Sequence, residues 1–420
     1  MNKKLIRRFS RRDFLKLGGS GAAITLLGSA LPAAASTSPG SVTRARAAMP
    51  PAQGAPVYMR LVATDGFINL PGRAEPNDLY VFGFREAGIG TPIGDLDVLK
   101  GKVQNPAPII GLDQGTEFFL TLTNIGLTNR PDLDDSHTVH WHGFRNPVAL
   151  FDGVPEVSIA VPPNRDFTYF YRAEAPGTYM YHCHFEDSEH VQMGMDGIVF
   201  IRPAQNGTPI SDPLGSGKTF TRFVYNDATP SGPLAGSTGY EREFALLLNE
   251  IDVRPHDGLL AVQEFIWSNY KPNYWVINGR AYPDTVLPDG ALPSQPISAL
   301  MEVNAGERVL MRISNLGYEQ HAMVLPGIPM RVVGEDATLL RSPSGADLSY
   351  HTNTLYLGPG ESRDVIFDAP GHSGGVGPDV YPFKNRSYHR LSNNGAPGPG
   401  GMMTEVRVYP GTVPLQTSYP

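Results

Sequence analysis

Polar and apolar residues alternate in short runs along most of the chain. Tyr80-Val81-Phe82-Gly83-Phe84 and Glu117-Phe118-Phe119-Leu120-Thr121-Leu122 are examples. Such runs, broken by turn residues, predict half-buried β-strands rather than helices. Stretches with helical periodicity are scarce. The pattern also repeats. Gly115 and Asn124 bracket one alternating strand, and Gly306 and Asn315 bracket another with the same spacing. Downstream, His137 to Gly143 matches His321 to Gly327 in length and at both ends. A long-period repeat of this kind predicts an all-β chain made of two copies of one β-sandwich with Greek-key character.

Composition supports that reading. Pro and Gly total about a fifth of the 420 residues, which suits many short strands joined by turns. A Gly/Pro/Ser-rich stretch over 206–240 reads as a linker. It separates a first domain, 56–205, from a second, 241–415. Residues 36–55 read as a flexible lead.

The N-terminus reads as an address rather than a fold. Ser10-Arg11-Arg12-Asp13-Phe14-Leu15-Lys16 resembles a twin-arginine export signal, with a weakly apolar stretch, Leu17 to Leu31, and small residues Ala33 to Ala35 behind it. The apolar stretch is about 15 residues, short for a bilayer span. A cleaved signal peptide over 1–35 predicts a periplasmic or secreted protein with no membrane span after processing. Its removal deletes seven basic residues and one acidic one and takes the formal net charge from −7 to about −13. That balance argues against nucleic acid as a partner, because phosphates would be repelled.

The chemistry concentrates in two segments. His137, His140 and His142 lie in the first. His182, Cys183, His184, His190 and Met195 lie in the second. Cys183 is the only cysteine, so no intramolecular disulfide exists, and the thiol is either functional or inert packing. One thiolate, two imidazoles and a weak thioether form the donor set of a blue-copper electron-transfer site. Cys183, His190 and Met195 supply three of these donors, and His137 is the natural fourth. Residues i and i+2 of a strand share a face. His140 with His142, and His182 with His184, therefore predict four imidazoles converging at two strand ends, with Cys183 turned the other way. Zinc is an alternative occupant, but the thioether and the paired histidines favour copper.

The segments HTVHWHGF and YHCHFEDSEHVQMGMDG resemble the copper-binding motifs of the multicopper oxidases, a family built from cupredoxin repeats. Leu150-Phe151-Asp152-Gly153-Val154-Pro155-Glu156 and Pro176-Gly177-Thr178-Tyr179 are supporting matches. The resemblance implies two cupredoxin-like domains and copper as cofactor. It implies a type 1 site at His137, Cys183, His190 and Met195. It also implies half of a type 2/type 3 cluster at His140, His142, His182 and His184. Cys183, His182 and His184 would carry electrons between the two. The electron donor would be a small molecule, a metal ion or a cytochrome, the acceptor dioxygen, and the assembly a homotrimer. The second domain departs from the family pattern. Val324, Pro326 and the run Phe383-Lys384-Asn385-Arg386 stand where histidines are expected. Two other readings therefore stay open. One is a nitrite-reductase-like enzyme, with nitrite as acceptor and His321 or His389 lent by a neighbouring subunit. The other is a non-catalytic copper-binding electron-transfer protein. Acids near the thiolate site (Asp132, Asp134, Asp135, Glu186, Asp187, Glu189) are either an attractor for a cationic donor or a solvated loop.

Overall fold

The computed structural model describes residues 54–73, 78–228 and 232–416. The signal expected over 1–35 lies outside these residues. The fold is mostly β. In the first half, one sheet runs in the order Asp78–Ala87, Val57–Asn69, Glu117–Asn124, Arg165–Arg172. The facing sheet runs Ile110–Asp113, Asp196–Arg202, Gly177–His182, His140–His142. Phe118, Leu120 and Leu122 point from the first sheet, and Val139, Trp141, Tyr181 and Cys183 from the second, into one core.

The second half follows the same plan. Arg242–Ile251 lies parallel to Arg308–Asn315, as Val57–Asn69 lies parallel to Glu117–Asn124. Its other sheet runs Met301–Asn304, Met403–Tyr409, Asp379–Asn385, His321–Val324, with Thr354–Leu357 added at the edge. Leu246, Ile313, Met323, Phe383 and Val406 fill the core between the two sheets.

The repeated asparagines close each pattern for a physical reason. Asn124 accepts a hydrogen bond from Gly126 N and donates to the carbonyl of Asp135, two residues before His137. Asn315 accepts from Gly317 N and donates to the carbonyl of Glu319, two residues before His321. A carboxamide has both a donor and an acceptor to spend, so one side chain pins both ends of the turn.

The alternation holds from Glu117 to Leu122 but is lost in Arg308–Asn315, where every residue is buried. The second face of that strand is covered too. Val224, Tyr225 and Tyr240 pack on Leu310, Val333 and Ile366. The connecting segment 206–240 is thus itself packed, with short strand pairs at Ile210–Ser211 with Thr219–Phe220 and Arg222–Phe223 with Gly239–Tyr240. The halves also share apolar contacts. Leu79, Val81 and Val103 meet Ile251, Tyr274 and Val276, and Met180, Ile198 and Phe200 meet Ala245, Leu247 and Leu316. Among the described residues, no helix is long and apolar enough to cross a membrane.

A buried ionic network joins the halves. Arg312 is fully buried and pairs with Glu243 at 2.9 Å and Asp364 at 3.4 Å. Thr178 donates to Asp364 at 2.6 Å, so the network grips the strand that leads to Cys183. Truncating one member leaves buried charge without a partner. Arg312→Ala should cost about 3–5 kcal/mol, measured as a shift in chemical denaturation, whereas Arg85→Ala on the surface should leave the transition within about 0.5 kcal/mol.

Candidate metal centre

The strands His140–His142 and Gly177–His182 pair antiparallel, with His140 opposite His182 and Trp141 opposite Tyr181. Pleating then sorts the side chains. Trp141 turns inward and stacks on Tyr171 at 4.0 Å. His140, His142 and His182 turn outward, and one nitrogen of each lies within 4.8 Å of the others. The His184 ring packs beside them, 5.2 Å from His140 and 5.6 Å from His182 between ring centroids. The structure thus brings together all four residues of the expected cluster.

Second contacts orient these rings. His140 Nδ1 lies 2.6 Å from the carbonyl of Asp152, and His182 Nδ1 lies 2.8 Å from the carbonyl of Cys183. A ring that donates through Nδ1 presents Nε2 as its lone-pair nitrogen, the arrangement a metal ligand needs. Burial lowers the pKa of His140 and His142 and takes His182 down to about 3. The rings are therefore neutral, as ligands must be. Asp152 lies in the Leu150–Glu156 motif, which the sequence singled out without giving Asp152 a role. Gly153 beside it is obligatory: a Cβ there would sit 2.2 Å from the carbonyl oxygen of Val139.

Cys183 lies one residue past the strand, fully buried on the opposite side. Its sulfur is 3.3 Å from His190 Nδ1 and 3.9 Å from His137 Nδ1. Thr138 N points at the same sulfur from 3.4 Å, and the Thr138 hydroxyl accepts from His184 N. His190 comes from a short helix, Asp187–Met193, that ends at Gly194 with φ of 111°. A Cβ at Gly194 would lie 2.0 Å from Asn105 Nδ2, so only glycine permits the turn. The chain then returns: Met195 N donates to the His190 carbonyl and Cys183 N to the Met195 carbonyl. Met195 and Met193 are both fully buried beside Cys183.

The donor set fits copper. Burial, then the neighbouring His190, holds the pKa of His137 well below its ordinary value, so its ring is neutral. Burial alone would lower His190 too, but Cys183 and Asp135 outweigh it and push it up to about 10. His190 Nε2 is buried without a hydrogen bond, 3.7 Å from the Asp135 carboxylate.

The acids near the site have separate employments. Asp132 is held by Arg130 at 2.7 Å, and Asp135 faces His190. Asp134, Glu186 and Asp187 are exposed, whereas Glu189 is half-buried. A cavity of about 260 Å³ opens beside His142 and His182, walled by Leu316, Tyr318, Pro359 and Gly360 of the second half.

His321 does not stand where a lent ligand would. It is fully buried, with Nε2 2.9 Å from Glu250 and Nδ1 facing Arg390 and Asn385. Both nitrogens are spent inside its own half, which corrects its candidacy as a ligand for a neighbouring subunit. His389 is exposed and packs edge-on against Trp275.

Residues 98–206 match the family model described as multicopper oxidase. Laccase-5 of Arabidopsis thaliana is 25% identical over 294 residues, covering 69% of this chain and 41% of that protein. The chain spans about two fifths of the length of this and similar curated relatives. The blue copper oxidase of Nitrosomonas europaea superposes with a TM-score of 0.60 at 23% identity, covering 84% of this chain and 86% of that one. The multicopper oxidase mgLAC gives 0.59 at 22%, covering 87% and 89%. Residues 98–206 are thus similar to a multicopper oxidase domain, and the fold of the chain is the cupredoxin-like fold of the solved multicopper oxidases.

Proposed function

We propose that the chain is a copper oxidoreductase of the multicopper-oxidase type. His137, Cys183, His190 and Met195 would hold a type 1 copper that accepts electrons, and His140, His142, His182 and His184 would hold the copper at which dioxygen is reduced, with Cys183, His182 and His184 as the covalent path between the two. The observation that carries this reading is the strand end itself. Cys183 faces one set of donors and His182, its covalent neighbour, faces the other.

Copper at these positions would supply one-electron redox chemistry and, at the thiolate, an intense visible absorption. The chain's own residues do the rest. Burial of Cys183 among Phe82, Phe185, Met193 and Met195 excludes water from the thiolate. Thr138 N donates to the sulfur, and the carbonyls of Asp152 and Cys183 fix two of the cluster rings. The cavity beside His142 and His182 leaves room for a small acceptor. The donor is a small molecule, a metal ion or a cytochrome. Export by the twin-arginine route to the periplasm, and a homotrimeric assembly, complete the proposal.

A second reading has support in the second half. The positions that correspond to His140 and His182 in the repeat are Val324 and Lys384, which pair with each other and are neither of them a good ligand. That favours fewer coppers, as in a nitrite-reductase-like enzyme or a simple electron carrier. Copper counting with EPR separates the readings. About four coppers per chain, with type 2 as well as type 1 signals, are expected, whereas about two would indicate the nitrite-reductase-like pattern. A single copper with only a type 1 signal would leave a carrier.

Cys183→Ser should abolish both the visible band and oxidase activity; a surviving band would refute the thiolate assignment. His140→Ala should lower oxygen consumption by at least about tenfold while leaving the visible band in place. Because burial holds the pKa of His140, His142 and His182 below the ordinary histidine value, protons begin to compete with metal at these three rings only at lower pH. Equilibrium dialysis should therefore show cluster copper retained from about pH 7 down to about pH 5, where exposed histidines of pKa about 6.5 would have charged.

A further inference from the structure

The second half repeats the first closely enough to be read residue against residue. His140 faces His182 across one strand pair, and Val324 faces Lys384 across its counterpart. Three residues before each stands a histidine, His137 or His321. One residue after each partner stands Cys183 or Asn385. Asn124 and Asn315 pin the chain two residues ahead of the two histidines.

The backbone beyond these points also agrees. Cys183 N donates to the Met195 carbonyl at 3.0 Å, and Asn385 N donates to the Met402 carbonyl at 2.9 Å. Met195 N donates to the His190 carbonyl at 3.0 Å, and Met402 N donates to the Arg390 carbonyl at 2.9 Å. His137, Cys183, His190 and Met195 therefore correspond to His321, Asn385, Arg390 and Met402.

The four side chains of the second set converge. Asn385 Nδ2 lies 3.3 Å from His321 Nδ1 and 3.4 Å from the Met402 sulfur. Arg390 Nη1 lies 3.1 Å from the same His321 Nδ1. In both halves Nδ1 is the nitrogen that faces the centre. His321, Asn385 and Met402 are fully buried, and the Arg390 side chain is mostly covered.

The chemistry of the replacements has a single sense. Thiolate has become a neutral carboxamide, and a ligand imidazole has become a guanidinium. Guanidinium keeps its charge and has no lone pair to give, so it repels a metal cation instead of binding one. Two donors, Asn385 and Arg390, point at His321 Nδ1. That nitrogen is therefore the acceptor, and Nε2–H donates to Glu250. The charge of Arg390 is matched by Glu319 at 3.0 Å, and buried Glu250 lies on the far side of His321. The Arg390 guanidinium, which also donates to the Gln320 carbonyl, thus covers the one His321 nitrogen that a metal would need.

We propose that the second half contains a latent copper–thiolate pocket, formed by His321, Asn385, Arg390 and Met402, in which the Arg390 guanidinium and the Asn385 carboxamide take up the His321 nitrogen that would otherwise meet a metal. The proposal rests on reading Cys183 as a copper thiolate, and the colour of the unmodified protein checks that reading independently. The filled pocket also has a mechanical consequence. Glu250 accepts from Glu319 N and Tyr318 N, and the Tyr318 hydroxyl donates to the Ser188 carbonyl on the helix that carries His190. The second half thus holds its shape, and supports that helix, without waiting for a metal.

The test uses the full chain with Cys183→Ser, so that any thiol signal comes from position 385. Asn385→Cys together with Arg390→His should take up one more equivalent of copper(II) than the Cys183→Ser parent and develop an intense thiolate-to-copper visible band. Asn385→Cys with Arg390 retained should develop none. Its introduced thiol should instead react with iodoacetamide as a thiolate well below the ordinary cysteine pKa of about 8.5, because the Arg390 guanidinium shares its neighbour, His321 Nδ1. A folded double variant without the band would overturn the proposal. So would a band in the single variant. Should the double variant not fold, a thiol in the single variant that titrates at the ordinary value would overturn it equally.

Discussion

The antiparallel pairing of His140 with His182 is the constraint on which the rest of the site depends. Two strands in that register place alternate residues on opposite faces, with no freedom to choose. His140, His142 and His182 go to one side, and Trp141, Tyr181 and Cys183 go to the other. A slip of one residue would bury the imidazoles in the apolar core and expose the thiol. The stack of Trp141 on Tyr171 resists that slip, because a large aromatic ring has one place to fit.

The strand end is held from several directions. Thr178, near its start, belongs to the buried network of Arg312, Glu243 and Asp364, which comes mostly from the second half. Met180 packs against Ala245, Leu247 and Leu316. The short helix after Cys183 is met by Tyr318 and, through Gln192, by the Glu250 carbonyl. Whether or not it supplies ligands, the second half is part of the support that keeps the donors of the first half in place. Charge buried there costs desolvation, and the network repays it by fixing geometry across the seam.

The two halves separate scaffold from chemistry. The sheet order, the pinning asparagines and the backbone bonds around Cys183 and Asn385 are shared. The side chains that would meet a metal are not. Backbone hydrogen bonds are needed to bury a chain at all, so they persist in both copies. Buried polar side chains must find partners of some kind, and in the second copy hydrogen bonds from Asn385 and Arg390 to His321 supply them.

The sequence by itself determined the β character, the repeat and eight candidate donor positions in the first half, six of which the fold gathers into two clusters. Period-two alternation, the Gly–Asn brackets and the HxH pairs are local patterns, and strand pleating translates them directly into faces. It also marked Val324, Pro326, Lys384 and Arg386 as departures. Only the tertiary structure decided where the remaining histidines stand. His321 looked available because its neighbours in sequence are unremarkable. Glu250, Asn385 and Arg390, which enclose it, lie 71, 64 and 69 residues away. The ring-orienting contact from Asp152 to His140 likewise comes from the following loop. Burial on the second face of Arg308–Asn315 was hidden for the same reason: its cover comes from Val224, Tyr225 and Tyr240. Local pattern reports which face a side chain takes, but what meets it there depends on packing between distant segments.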